Sequence, residues 1–285
     1  MRSFGRNARL TLYQAKSGAF ASYLAESLVI EQLRMQFAIE LQLGGDPNTC
    51  DITITNLNAD SRAWLQRKGV HAILDAGHDG EYRQLFRGDL RSTAPIRTAT
   101  DRDVLLQLGD GARAYRYARV SRSFREGTPI RDLVSEAAAA MQLPLSADVL
   151  DRVEFDKRLV LGDVVQGLAK DELTRLLAPL GYTWSIQRGV LQILNQTDVR
   201  GDQALVFDTG VDSGVIGSPS LRPGKLGSGR PSLAMQVLLR PDVVPGARIE
   251  VRSVDVQGHF KIEKVRHTGD THGQDWTTEI DAKQL

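Results

Sequence analysis

Apolar and polar side chains alternate strictly through "MQFAIEL", where Met35, Phe37, Ile39 and Leu41 fall on one side of an extended chain. A period of two marks a strand with one buried face. The period returns at Ile52 and Ile54 and stops at Asn56-Leu57-Asn58, with "GGDPN" (Gly44 to Asn48) as the intervening turn. Asp60 is placed to cap a short helical turn, "SRAWLQRK". "HAILDAG" and "RQLFRGDL" read as a hairpin around "GHDGE" (Gly77 to Glu81), and "DVLLQLGDGARAY" as a further strand and a Gly-Asp-Gly turn. So many short strands over residues 33–115 predict a barrel or sandwich.

The period changes near Ser121. In "EGTPIRDLVSEAAAAMQLP", Thr128 is placed as N-cap and Pro129 as first helical residue. Ile130, Leu133, Val134, Ala137, Ala138 and Met141 form one apolar stripe, and Pro144 stops the helix. A second helix is expected from an Asp163 cap. Val165, Leu168, Ala169, Leu173, Leu176, Leu177 and Leu180 would lie on one face, and Gly181 would end it. "YTWSIQRGVLQIL" reads as a hairpin turning at Gly189. Both helical stripes are expected to pack on that hairpin.

Residues 208–234 are rich in Gly, Ser and Pro and read as a long connection. Long connections in compact proteins are usually functional or become ordered in an assembly. Beyond it, Pro245-Gly246 leads into a strand with Ile249, Val251 and Ser253 on one side. Gly258 is placed to close a hairpin to Phe260 and Ile262. "HTGDTHG" (His267 to Gly273) reads as a second turn, and Trp276, Thr278 and Ile280 as a last strand. The expected class is α+β, mainly β. A β-barrel domain (1–117) and an α/β insert (118–207) are followed by a linker (208–234) and a second small β-barrel (235–285).

Composition narrows the function classes. Lys and Arg number 36 against 35 Asp and Glu, a formal net charge of +1, so no global field draws the chain to nucleic acid or anionic membrane. A charged face can still be hidden in that balance. Aromatic residues are only 6%, which suits small β domains better than one large aromatic core. The single cysteine, Cys50, has no partner for an intrachain disulfide and cannot supply a cysteine-based zinc site. It reads as a packed strand residue from a reducing compartment. The basic start "MRSFGRNARL" is followed by no apolar signal region, and no stretch reaches the ~18 apolar residues of a membrane span.

Candidate chemistry is sparse. His267, Asp270 and His272, with Asp275 nearby, are the best metal ligands by type, but their spacing matches no standard zinc motif. A Gly-Asp turn explains Asp270 without an ion. His71 and His78 form no ligand pair. "GSPSLRPGKLGSG" fails as a phosphate loop: its spacing is wrong, and Leu226 follows the lysine where Ser or Thr is needed. No Gly-x-Ser-x-Gly elbow occurs. Trp64, Trp184 and Trp276 read as packing residues, not as a sugar cleft. No catalytic residue and no cofactor are expected.

Four stretches together resemble phage tail baseplate hub proteins. "LRMQFAIELQLGGDPNTCDITITNLNADSRAWL" resembles their N-terminal β domain through Pro47, Asn48, Ile52, Ile54, Asn56, Leu57 and Arg62. "SRSFREGTPIRDLVSEAAAAM" resembles the start of the next segment. "TGVDSGVIGSPS" and "PGARIEVRSVDVQGHFKIEKVRHTGDTHGQDWTTEIDA" resemble the linker and last domain. The resemblance implies a homotrimer whose two barrels per chain build a pseudo-sixfold ring. Such a ring adapts a sixfold tail tube to a threefold spike and forms part of the DNA-ejection channel. It also implies a place at the virion tail tip after synthesis in the host cytoplasm. The implied partners are copies of itself, a tube or distal tail protein, the central spike and the tape-measure protein. DNA would pass through, and no membrane insertion is implied. A contractile tail fits best.

Such a ring closes head to tail, and strand edges are natural joining surfaces. Met35, Phe37, Ile39 and Leu41, with Phe260, Ile262 and Val265, are therefore the expected interface residues. The alternatives are a tail-tip peptidoglycan hydrolase, the hub of a bacteriocin or secretion device, and a glycan-binding β module.

Overall fold

The computed structural model describes residues 5–14, 27–78, 81–97, 101–145, 150–209, 214–223 and 229–285. They fall into two compact units. The first comprises Met1–Leu41, Asn48–Asp110 and Val199–Leu285, and the second Gln42–Pro47 and Gly111–Asp198. The first unit opens with β1 (Arg6–Gln14), β2 (Ser27–Ile30), β3 (Met35–Gln42), β4 (Thr49–Thr55), α1 (Ala59–Leu65), β5 (Val70–His78), β6 (Glu81–Arg97) and β7 (Arg102–Gly109). The second holds α2 (Ala112–Tyr117), β8 (Arg119–Phe124), α3 (Ile130–Ala140), β9 (Asp163–Leu168), α4 (Ala169–Leu177), β10 (Tyr182–Gln187) and β11 (Val190–Asn195). The first unit then resumes with β12 (Arg200–Asp208), β13 (Val215–Arg222), β14 (Ser232–Leu238), β15 (Ala247–Arg252), β16 (Gln257–Asp270) and β17 (Trp276–Gln284).

The mainly β class is as expected. The division into two separate barrels is not what the structure shows. All strands of the first unit belong to one 13-stranded sheet, ordered β13-β14-β17-β16-β3-β4-β7-β6-β5-β1-β2, with β15 on β16 and β12 on β15. Among the described residues this path is open and no barrel closes. The early and late strands meet where β3 lies beside β16. Alternation in a sequence fixes which face of a strand is buried but not which strand lies beside it.

The alternation itself is realised residue by residue. Met35, Phe37, Ile39 and Leu41 are all buried, and the register sets Met35 against Ile54, Phe37 against Ile52 and Ile39 against Cys50. On the far side of β4, Ile54, Ile52 and Cys50 face Val104, Leu106 and Leu108 of β7. Three apolar rows thus cross three strands. Each fully buried Leu, Ile or Phe contributes about 1.5–3 kcal/mol relative to exposure. Cys50 is buried in one of these rows, and burial pushes its thiol well up, with the Asp51 carboxylate adding to the effect.

Several turn assignments shift. Asn58, not Asp60, caps α1: its side chain accepts from the Ser61 amide at 2.7 Å, while Asp60 sits in the first turn. Asn56 takes a left-handed φ of 56°, and its side chain accepts from the Arg102 amide at 3.1 Å, tying the end of β4 to the start of β7. Gly258 lies inside β16 instead of closing the hairpin. That turn is made by Ser253, whose Oγ accepts from the amides of Asp255 and Val256 at 3.2 and 2.9 Å. Gly269 likewise belongs to β16, so the last turn begins only after Asp270.

The expected linker 208–234 is partly strand. Val215–Arg222 forms β13 and pairs with β14, which starts at Ser232; residues 210–213 and 224–228 lie outside the described residues. Its Gly and Pro content masked a strand that carries few apolar residues. β1, β2 and β12 were not anticipated as strands either.

In the second unit the two helical stripes pack with the β10–β11 hairpin, as expected. Leu133, Val134, Ala137, Leu173 and Leu177 share one core with Trp184, Ile186, Leu191 and Ile193. The hairpin turns on Arg188 and Gly189 with φ of 56° and 78°, the paired left-handed residues of a tight two-residue turn. Two helix starts differ. The Thr128 hydroxyl donates to the Arg125 carbonyl at 2.8 Å and does not cap α3. Asp163 opens β9, not a helix; α4 begins only at Ala169, because Gly167 holds φ at 131°, which no helix tolerates. Gly181 does end the helical segment, at φ 77°. The insert boundaries move to 111–198.

Candidate assembly site

The interface residues expected from the sequence are not on a surface. Met35, Phe37, Ile39, Leu41, Phe260, Ile262 and Val265 are all buried in the core of the first unit. β3 is flanked by β4 and β16, and β16 by β3 and β17, so the backbones of both strands are already paired. Their sheet neighbours are each other.

The joint between β3 and β16 is polar at its edge. Asp270 takes both guanidinium arms of Arg34, Nη2 at 2.7 Å and Nε at 3.2 Å, and accepts from Gln36 Nε2 at 3.0 Å and the His272 amide at 2.9 Å. Met35 and Thr271 exchange two further bonds, amide to hydroxyl and amide to carbonyl, each at 3.0 Å. Burial works to raise the Asp270 carboxyl, but the bonds from Arg34, His272 and Gln36 prevail and hold it well below the usual carboxylate range. Beside the joint, a Cβ on Gly269 would run into the Phe37 ring, which also meets Trp276 edge-on at 5.6 Å. The "HTGD" stretch is therefore a close-packing and ion-pairing site rather than a simple turn.

These contacts also account for the residues named as metal candidates. His267 is buried with its Nδ1 2.8 Å from Thr278 Oγ1. Asp270 is taken by Arg34, and His272 Nδ1 lies 3.0 Å from Thr271 Oγ1. The Asp275 carbonyl accepts from the Asp270 amide. Among the described residues no three His, Cys, Asp or Glu side chains could share an ion. His71 pairs with Asp89 at 2.7 Å, and His78 Nε2 accepts from the Trp276 indole at 3.2 Å. Trp184 and Trp276 are buried and Trp64 packs against the core, so all three serve packing. No helix among the described residues is long and apolar enough to cross a membrane.

The surface that sequence reasoning missed lies at the margins of the sheet. Among the described residues the path ends in β2 on one side and β13 on the other, while β12 has only β15 as partner. β6 changes partner midway: residues up to Asp89 pair with β5, and Asp89 to Arg97 pair with β7. Its far half therefore has one open side among the described residues. Each of these four margins carries an exposed large apolar side chain: Val29 on β2, Ile96 on β6, Val206 on β12, and Ile216 and Leu221 on β13. Open edges with apolar side chains are templates for another chain unless blunted. β13 is partly blunted by Pro219 and by a register shift between Ile216 and Ser220. On β13 the signal in the sequence was an apolar residue set within Gly, Ser and Pro, which carries no period.

No protein-family model and no curated protein matches the sequence. Solved structures do match its fold. A tail protein from Neisseria meningitidis superposes with a TM-score of 0.66 at 12% identity, covering 99% of this chain and 97% of that one. The 43 kDa tail protein of prophage MuSo2 from Shewanella oneidensis gives 0.64 at 12% identity, over 96% and 98% of the two chains. An E. coli protein described as a component of the type VI secretion system, with similarity to bacteriophage T4 tail proteins, gives 0.59 at 14% identity over 89% and 75%. The chain has the fold of phage and prophage tail proteins.

Proposed function

We propose that this chain is a structural hub of a phage tail baseplate or a related injection device. Three copies form a pseudo-sixfold ring between a sixfold tube and a threefold spike. The ring sits at the virion tail tip, its neighbours are the tube or distal tail protein, the spike and the tape-measure protein, and its lumen passes DNA. The role is assembly without catalysis. The observation that carries this reading is the likeness to tail proteins along nearly the whole of both chains. The open, apolar sheet margins supply surfaces by which copies can join, as a closed ring of head-to-tail contacts requires. The type VI likeness favours, as a second reading, the hub of a secretion-type device instead of a virion.

The deciding experiment is light scattering on the purified protein across a concentration series. A mass of three times 31.4 kDa supports the ring. A monomer at all concentrations, unchanged by added tube and spike proteins, overturns it.

A further inference from the structure

The second unit carries a strongly basic stretch within the near-neutral total. Arg113, Arg116, Arg119, Arg122 and Arg125 recur at every third position, with no acidic residue between Asp110 and Glu126. All five are exposed, as is Tyr117 at 70%. Arg122 reaches Glu136 only at 3.8 Å, and Arg116, Arg119 and Arg125 make no ion pair among the described residues. Lys170 adds a cation over the Tyr115 ring at 4.3 Å, beside the point where the Ala169 amide bonds the Ala118 carbonyl. Of the nearby carboxylates, Asp163 and Glu172 are already bound by Arg175 and Glu136 lies by Arg122, while Asp171 and the exposed Glu126 flank the stretch.

Register shows what lies between the cations. β8 and β9 pair Arg119 with Leu168, Ser121 with Gln166 and Ser123 with Val164, so these six side chains share one face. The opposite face carries Val120 and Val165 into the core, with Arg122, Phe124 and Asp163 on that same side. The outer face is uncharged past Arg119 and ends at Val164, 53% exposed. Next to it are Leu161 at 76% and Val160 at 89%, and Gly162 is pressed against the Phe124–Arg125 backbone. An uncovered apolar spot thus has cations at both ends. β8 and β9 form a two-stranded sheet of their own, so each has an outer side with no strand beside it among the described residues.

We propose that this face docks an acidic segment of a protein partner, with carboxylates on Arg116, Arg119 and Arg125 and apolar side chains on Val164 and Leu161. Arginine and tyrosine beside uncovered aliphatic side chains is the make-up of protein contact surfaces. Phosphate backbones would use the arginines but leave the aliphatic spot unserved. The inference stands on the second unit alone and goes beyond the ring reading.

The test is fluorescence anisotropy on the full chain. One probe is a labelled peptide of about 15 residues, Asp, Glu and Ser with Leu or Phe at every third position; the other is a thymidine oligonucleotide of similar length. Saturable peptide binding is expected to weaken with salt. It should weaken about tenfold in Arg116→Glu/Arg119→Glu and about threefold in Val164→Asp, and the oligonucleotide should bind less tightly. Arg116→Gln/Arg119→Gln keeps the comparison readable if reversal disturbs folding, which circular dichroism monitors. Absence of peptide binding overturns the proposal. So does a tighter oligonucleotide complex indifferent to Val164→Asp, which would assign the face to phosphate.

Discussion

Arg34 and Asp270, 236 residues apart, meet in a two-pronged ion pair at the seam where the early strands of the sheet join the late ones. The carboxylate is nearly covered while the guanidinium is half exposed. The pair therefore satisfies a buried acceptor more than it adds surface attraction. Asp270→Ala removes four bonds and strands Gln36 and the His272 amide. The expected loss is about 2–3 kcal/mol, read from urea unfolding midpoints at neutral pH.

The same carboxyl sets an acid dependence. Its folded pKa is depressed, so the native state binds fewer protons than the unfolded chain. The stabilisation is complete above the ordinary carboxylate value of about 4 and is lost as pH falls below it toward the folded value. Wild-type unfolding midpoints should drop between neutral pH and about pH 2.5, and Asp270→Asn should flatten that drop. Asp242 and Glu250 are also depressed, so the difference between the two profiles isolates Asp270. Identical slopes would refute the assignment.

Gly269 exists to admit the Phe37 ring. Gly269→Ala should destabilise by about 1–3 kcal/mol through overpacking. In a Phe37→Leu background the same change should cost less, because the obstructing ring atoms are gone. A double-mutant cycle by chemical denaturation measures that coupling. Additive effects would mean the ring is not the obstacle.

If the sheet margins join copies, charge placed on them should alter mass without altering fold. Val29→Lys with Ile216→Lys changes two exposed side chains at the two ends of the strand path. Light scattering should show a smaller species, with a melting temperature within a few degrees of wild type measured as monomer. An unchanged mass would direct attention to Ile96 and Val206.

Cys50 offers a probe of opening. It is fully buried and its thiol is pushed up, so a thiol reagent should label it only through unfolding. Labelling at the rate of a free thiol under native conditions would contradict its place in the β3–β4–β7 rows.

What could be read from the chain depended on whether the signal was local. Alternation at Met35–Leu41 and at Trp276–Ile280 gave correct strands, and the Gly189 turn and the α3 stripe were equally plain. Asp163–Leu168 misled because Val165, Leu168 and Ala169 have helical spacing, and only a backbone angle at Gly167 decides otherwise. The joint was illegible: nothing in Arg34 or Asp270 taken singly indicates a partner 236 positions away. The residues expected at an interface lie in the chain's own core for the same reason, since buried residues of β3 and β16 look the same whether their neighbour is another copy or the same chain. The arginine series was visible as spacing, but its exposure was not.

The seam also dictates an order of events on the ribosome. β4 can zip onto one side of β3 almost at once, but the strand for its other side is encoded more than 200 positions later. At about 5–20 residues per second, that edge waits roughly 12–47 s for its mate. The stretch Gly111–Asp198 is made entirely within the wait. A nascent chain therefore holds a half-built sheet, with one edge of β3 unpaired, until β16 is made.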